Sequence, residues 1–172
     1  MSRRRCRERL SRCFLPVSEA ICTLSVAPLV QGTATGVLVV LDEPLSLWGG
    51  VDPETGLIVD THHPQHGRSI RGSLLVMPGG RGSSSSSSVL VELVRRKLNP
   101  VSLLLFEADP ILIVGALMSR VLYDIVVPVA LVDPALGIGA HRGRTGRIDG
   151  PSLTVFLPGS SSHPTDHASV GE

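Results

Sequence analysis

The sequence predicts an α/β domain with parallel strand pairing, on three observations. Short continuous apolar runs recur at 36–41, 72–77 and 101–106. The stretches that follow the last two runs have helical rather than alternating periodicity. A glycine-rich turn stands directly between the second run and the first helix. Strand, glycine loop, helix, strand, helix, strand is the order that buries a parallel sheet beneath crossover helices.

Each element has its own warrant. Residues 36–41 are bounded by Gly36 and Asp42 and read as a buried strand. Residues 42–67 are rich in Pro, Gly and Asp and form a long, ordered loop region, with 57–59 as a short strand. Residues 72–77 form a second buried strand, stopped by Pro78 and two glycines. Val89, Leu90, Leu93, Val94 and Leu98 recur at helical spacing, with Glu92, Arg95 and Arg96 on the wet face. Asn99 and Pro100 end that helix, predicted over 89–98. A third strand covers 101–106. Asp109 is the N-cap and Pro110 the first residue of a helix reaching Tyr123. Residues 125–131 read as a fourth strand, at an edge or with a bulge because of Pro128. Residues 153–157 make the last strand, and Asp133 is a turn residue.

Composition narrows the function classes. The chain has 172 residues, 42% hydrophobic and 18% charged, which suits one folded domain and excludes global disorder. Aromatics are 3%, so the core is built from Leu, Val and Ile. Arg3, Arg4, Arg5, Arg7, Arg9 and Arg12 account for the slight positive charge, and the chain from residue 28 onward is mildly acidic. Nucleic-acid binding is therefore not expected. Cys6, Cys13 and Cys22 fit neither a disulfide framework nor a zinc pattern, which points to a reducing, cytoplasmic setting. The longest apolar run, 111–118, is too short to span a bilayer. Residues 1–27 resemble a weak targeting signal, but Glu8 and Glu19 argue against one. They are read as a disordered extension or a start assigned too far upstream. The domain is set at 28–157 and a flexible tail at 158–172.

The turn reads Gly79, Gly80, Arg81, Gly82 and then six serines, Ser83 to Ser88. Glycines let a backbone approach a ligand closely, and a helix N-terminus offers unpaired donors to an anion. A serine accepts a proton only where its alkoxide is held by such donors, and Arg81 is a further one. The competing reading is a polar linker. A phosphate-binding loop would need a Gly-Lys-Ser/Thr ending, which is missing. On residues alone, catalyst and filler stand side by side.

Two more stretches shift the balance. Leu41-Asp-Glu-Pro-Leu-Ser-Leu-Trp48-Gly49-Gly50-Val-Asp52-Pro-Glu-Thr-Gly56 is unusually specific and holds the single Trp. His62-His63-Pro-Gln-His66-Gly67 follows it. With the serine turn and Glu107-Ala-Asp-Pro-Ile-Leu112, they resemble the small subunit, or swivel domain, of the aconitase X family over roughly residues 30–157. The Arg- and Cys-containing N-terminal extension and the polar tail depart from that pattern.

The resemblance implies a single swivelling β/β/α domain that closes over an iron–sulfur cluster. It places the cluster's cysteines on a large-subunit partner, so this chain alone is expected to bind no cofactor and no metal. The implied reaction is a dehydration of a small hydroxy acid, in which a swivel-domain serine removes a proton from carbon. That role maps to Ser83, with Ser84 as the fallback. Gly80, Arg81, Gly82 and Ser84 are implied to shape the turn and bind a substrate carboxylate, and the serines from Ser85 onward to cap the helix or line the turn. Trp48, Gly49, Gly50, Asp52, His62, His63 and His66 are expected to meet the large subunit or close the cleft. For Trp48 a core position is an equal alternative, and for the histidines a metal site is the lesser one. Two substrates fit the resemblance. The six-serine run favours cis-3-hydroxy-L-proline, dehydrated to pyrroline-2-carboxylate, over 5-phosphomevalonate. A reading from another class is a non-catalytic module that binds a ligand or partner.

Overall fold

Residues 20–157 are described by the structure, a computed structural model. In chain order they form strands β1 (Ala20–Ser25), β2 (Ala27–Val30), β3 (Thr33–Val40) and β4 (Ser73–Met77), then helix α1 (Ser86–Arg95). Strand β5 (Ser102–Leu105), helix α2 (Pro110–Tyr123) and strand β6 (Val129–Leu131) follow. Two single 3-10 turns, Pro134–Leu136 and Ile138–His141, lead to β7 (Thr145–Asp149) and β8 (Ser152–Phe156). All the strands join one sheet in the order β1-β8-β7-β3-β4-β5-β6-β2.

The middle of the sheet is the predicted parallel unit: β3, β4, β5 and β6 pair in parallel, each with the next. These strands read as continuous apolar runs because both of their faces are covered. Leu75, Met77, Leu103 and Leu105 pack beneath Leu90, Leu93 and Val94 of α1, Leu112 and Ala116 of α2, and Leu45, Leu47, Ile58 and Ile70 of the long loop. On the other face Leu38, Leu74, Val76, Leu104 and Ala130 form one cluster with Ile148, Leu153 and Val155 of the antiparallel strands. The antiparallel end of the sheet thus curls over the parallel part, giving a β/β/α layering.

The expected domain start at residue 28 is corrected. Ala20–Ser25 pairs with β8, Ala27–Val30 pairs with β6, and Val26 between them is 5% exposed. These edge strands bury only alternate side chains such as Cys22 and Leu24, so no continuous apolar run announces them. The expectations for residues 1–19 and for the tail from 158 lie outside the described residues.

Pro128 also behaves differently from the expectation. The strand begins after it, and β6 lies inside the sheet between β5 and β2. The irregularity falls on β2, between Pro28 and Val30. Pro128 contributes its carbonyl, which accepts the Leu103 N–H at 2.9 Å and the Ser102 hydroxyl at 2.9 Å. Helix α1 starts three residues earlier than its apolar periodicity suggests and ends at Arg95, with Lys97 at φ 59°. Helix α2 has its predicted bounds and its predicted cap. Its outward side shows Val114, Leu117, Met118, Val121 and Leu122, of which Val121 is 75% exposed. No helix among the described residues is long and apolar enough to cross a membrane.

The crossing of β3 and β4 tolerates no side chain at Gly36. A Cβ there would stand 2.6 Å from the Gly72 carbonyl oxygen and 3.3 Å from the Leu74 amide, both of them backbone atoms. Gly36→Ala should therefore destabilise the fold by about 1–3 kcal/mol through overpacking. Urea unfolding of the full chain should show a lower midpoint, and an unchanged midpoint would contradict the close approach.

Candidate active site

The parallel strands all end on one edge of the sheet, the edge at which open α/β sheets bind ligands. Asp42 follows β3, the glycine–serine turn follows β4, Asp109 lies beyond β5 and Asp133 beyond β6. Backbone bonds tie the neighbouring loops: the Phe106 N–H donates to Met77 O at 3.2 Å and the Glu107 N–H to Pro78 O at 3.0 Å. On its other flank, Gly80 forms a parallel bridge with Leu45. The turn is therefore a braced element and not a free linker.

The serines divide the local hydrogen bonding among themselves. The Ser83 hydroxyl oxygen accepts the Ser85 N–H at 3.1 Å, and the Ser83 carbonyl accepts the Ser86 N–H at 3.0 Å. The Ser87 hydroxyl donates to Ser84 O at 2.9 Å. Ser84 is exposed, and its own hydroxyl has no partner among the described residues. Ser85 occupies the N-cap position without a side-chain bond to the helix, so the capping expected of it is not made, and the bond from the Ser85 N–H to Ser83 closes a turn just before the helix. Ser86 is buried at 5% exposure, and its hydroxyl accepts the Trp48 N–H at 3.2 Å. That bond joins the Trp48 stretch directly to the serine turn.

The glycines serve separate ends. Gly82 has φ 88°, a conformation strained for any other residue, and its open side faces the Ser46 hydroxyl. Gly80 needs no unusual backbone, and Asp109 closes over it.

Arg81 does not point at a serine. Its guanidinium donates to Asp60 Oδ2 at 2.7 Å while remaining 43% exposed. Asp60 was not singled out in the sequence, yet it is the hub of the histidine loop. Its Oδ1 accepts the His62 N–H at 2.9 Å, and its carbonyl accepts the His63 N–H at 3.1 Å and lies 3.2 Å from His66 Nδ1. The His62 amide first, and Arg81 after it, hold the Asp60 carboxyl below its ordinary range. Asp42 is held down likewise, chiefly by Arg142, and Gln65 also donates to it.

The three histidines do not converge. His62 extends into solvent with its side chain 93% exposed, and His66 is also exposed. His63 is 2% exposed. Its Nδ1 accepts the Gln65 N–H at 3.1 Å, so Nε2 carries the proton and faces Glu43 O at 3.4 Å. His63 thus holds the loop together from inside and offers nothing to a partner. Among the described residues, no three His, Cys, Asp or Glu side chains gather as a metal-binding group. Cys22, the one cysteine among them, sits on the outer strand β1 with Sγ 3.5 Å from His141 Nε2.

Trp48 is 59% exposed, so the core alternative for it is discarded. With Gly49, Val51, Asp52, Pro53, Val59 and Val89 it lines a shallow groove of about 560 Å³ beside the turn. Gly50 is buried beneath that groove. Asp52 accepts the Glu54 N–H at 3.0 Å and the Thr55 hydroxyl at 2.6 Å, which shapes the next turn.

Known proteins bear on this geometry. Residues 23–150 match the family model described as the aconitase X swivel domain. The cis-3-hydroxy-L-proline dehydratase of Pseudomonas aeruginosa is 46% identical over 102 residues, which cover 59% of this chain and 18% of that protein. The chain therefore spans less than a fifth of that relative's length. The phosphomevalonate dehydratase small subunit of Methanothermobacter thermautotrophicus is 43% identical over 91 residues, 53% of this chain and 70% of the relative. The crystal structure of Thermococcus kodakaraensis aconitase X in its holo form superposes with a TM-score of 0.69 at 33% identity. It covers 79% of this chain and 99% of that one.

Two measurements check the site. Ser86→Ala leaves the Trp48 amide without its acceptor and should cost about 1–2 kcal/mol. Because Trp48 is the chain's single Trp, its emission should shift in the folded variant. The Asp60 carboxyl should titrate below its ordinary 3.8 in an NMR pH series. Its folded pKa is depressed, so its contribution to stability is present above 3.8 and fades as pH falls through the depressed value. The Arg81 contact should then persist across the neutral range, and a titration midpoint above 3.8 would contradict it.

Proposed function

This chain belongs to the aconitase X swivel-domain family, and on that premise we propose that it is the small subunit of an iron–sulfur-dependent dehydratase. It works with a large-subunit partner, in a cytoplasmic setting, and acts on a small hydroxy acid. The first substrate is cis-3-hydroxy-L-proline, on the strength of the Pseudomonas relative and the unbroken serine run. Phosphomevalonate is the second reading, favoured by a relative named as a small subunit, 70% of which aligns with this chain.

The described residues do not fit an iron–sulfur cluster. They hold one cysteine, Cys22, on the edge strand β1, four strands along the sheet from β4. The cluster is assigned to the large subunit, and the step assigned to this chain is removal of a proton from carbon.

One observation carries the choice of base. The Ser83 oxygen already receives the N–H of Ser85, the residue just before α1, the kind of bond that an alkoxide needs at that place. Ser84 has no comparable donor among the described residues, so Ser83 is preferred to its fallback. Arg81 is given the substrate carboxylate. Its guanidinium is oriented by Asp60 and keeps exposed N–H groups for a second anion. Gly80 and Gly82 keep the backbone of the turn close to that anion. The apolar groove at Trp48, with Gly49 and Asp52 on its rim, and the apolar outer face of α2 are the kinds of surface a chain working in a complex would carry.

The test is anaerobic co-purification with the large subunit, followed by assays on both substrates. Ser83→Ala should lower kcat by about 100-fold or more while KM moves little, and Ser84→Ala should lose much less. Full turnover by Ser83→Ala would remove the base assignment.

A further inference from the structure

We propose that Asp109 is a positioning residue for the serine turn and that it acts through Gly80. This rests on reading the turn as the catalytic element. The Asp109 carboxylate has two separate tasks. Its Oδ1 accepts the Ile111 N–H at 2.8 Å and the Leu112 N–H at 3.3 Å, which caps α2. Its Oδ2 makes neither bond and lies against Gly80. A methyl group placed on that glycine would overlap Oδ2 and stand 3.1 Å from the carboxyl carbon.

Gly80 does not have a positive φ, so its backbone would accept an alanine. The two nearest atoms to such a methyl belong to the Asp109 carboxylate, and the next, Leu112 Cδ1, stands at an ordinary 3.4 Å. Position 80 is therefore kept free of a side chain by Asp109. The carboxylate is a firm wall because its other oxygen is bound to the helix terminus, so moving Oδ2 aside disrupts the cap. On the opposite flank Gly80 bridges Leu45. Held between these two, Gly80 sets the register of the chain that reaches Ser83 three residues later.

The test is a double-mutant cycle in the holoenzyme. Asp109→Ser keeps a good N-cap oxygen and deletes the wall, and Asp109→Thr is a second variant of the same kind. With Asp109 present, Gly80→Ala should lower kcat by about 10-fold or more, with KM little changed. With Ser or Thr at position 109, the loss caused by the same methyl should be at least about threefold smaller than it is beside Asp109. The NMR amide shifts of Ser83 to Ser86 in the full small chain should follow the same pattern, large in the first background and small in the second. Equal effects of Gly80→Ala in both backgrounds would overturn the proposal. If the holoenzyme dehydrated neither substrate, the catalytic reading would fall, and the amide shifts alone would decide whether Asp109 positions the turn.

Discussion

Burial of β4 on both faces is the constraint on which the rest depends. Leu74 and Val76 face one cluster while Leu75 and Met77 face the other, and every residue of the strand is buried. A strand placed so deeply cannot shift register without exposing apolar side chains on two sides. Its carboxyl end is consequently a fixed point, and the glycine–serine turn starts from it. At roughly 25 cal/mol per Å² of apolar surface, four such side chains stabilise the placement more than any bond within the turn.

From that fixed point the turn is organised by short-range polar contacts. Backbone amides, more than charged side chains, surround the serines. The Ser83 oxygen takes an N–H from Ser85, and the Ser86 oxygen takes one from Trp48. Charge enters one shell out, where Asp60 orients Arg81 and Asp109 borders Gly80. The arrangement leaves the positive guanidinium at the mouth of the turn and commits both carboxylates to structure.

The cap of α2 and the doubly buried strands were legible because each rests on a local rule. Asp109 before Pro110 is a helix start whatever surrounds it, and a five-residue apolar run is a covered strand. The edge strands β1 and β2 were missed for the converse reason. Their half-buried pattern makes sense only beside β8 and β6, which lie about one hundred residues or more away along the chain. Helix α1 began earlier than its apolar stripe because serines supply no hydrophobic signal. Their helical geometry follows from Ser83 and Ser84 carbonyls accepting the next amides.

Taken alone, the amino-acid order was enough for the α/β class, the parallel pairing of the central strands, the serine turn at the head of a helix and the family resemblance. These follow from periodicity, capping and motif, which neighbouring residues encode. Partner choice was left to the folded molecule. That His63 turns inward while His62 faces solvent, that Arg81 joins Asp60 rather than a serine, and that Trp48 is exposed all depend on contacts between distant segments. Such contacts are decided by how the long loop, α1 and the sheet pack together, and no local rule carries that information.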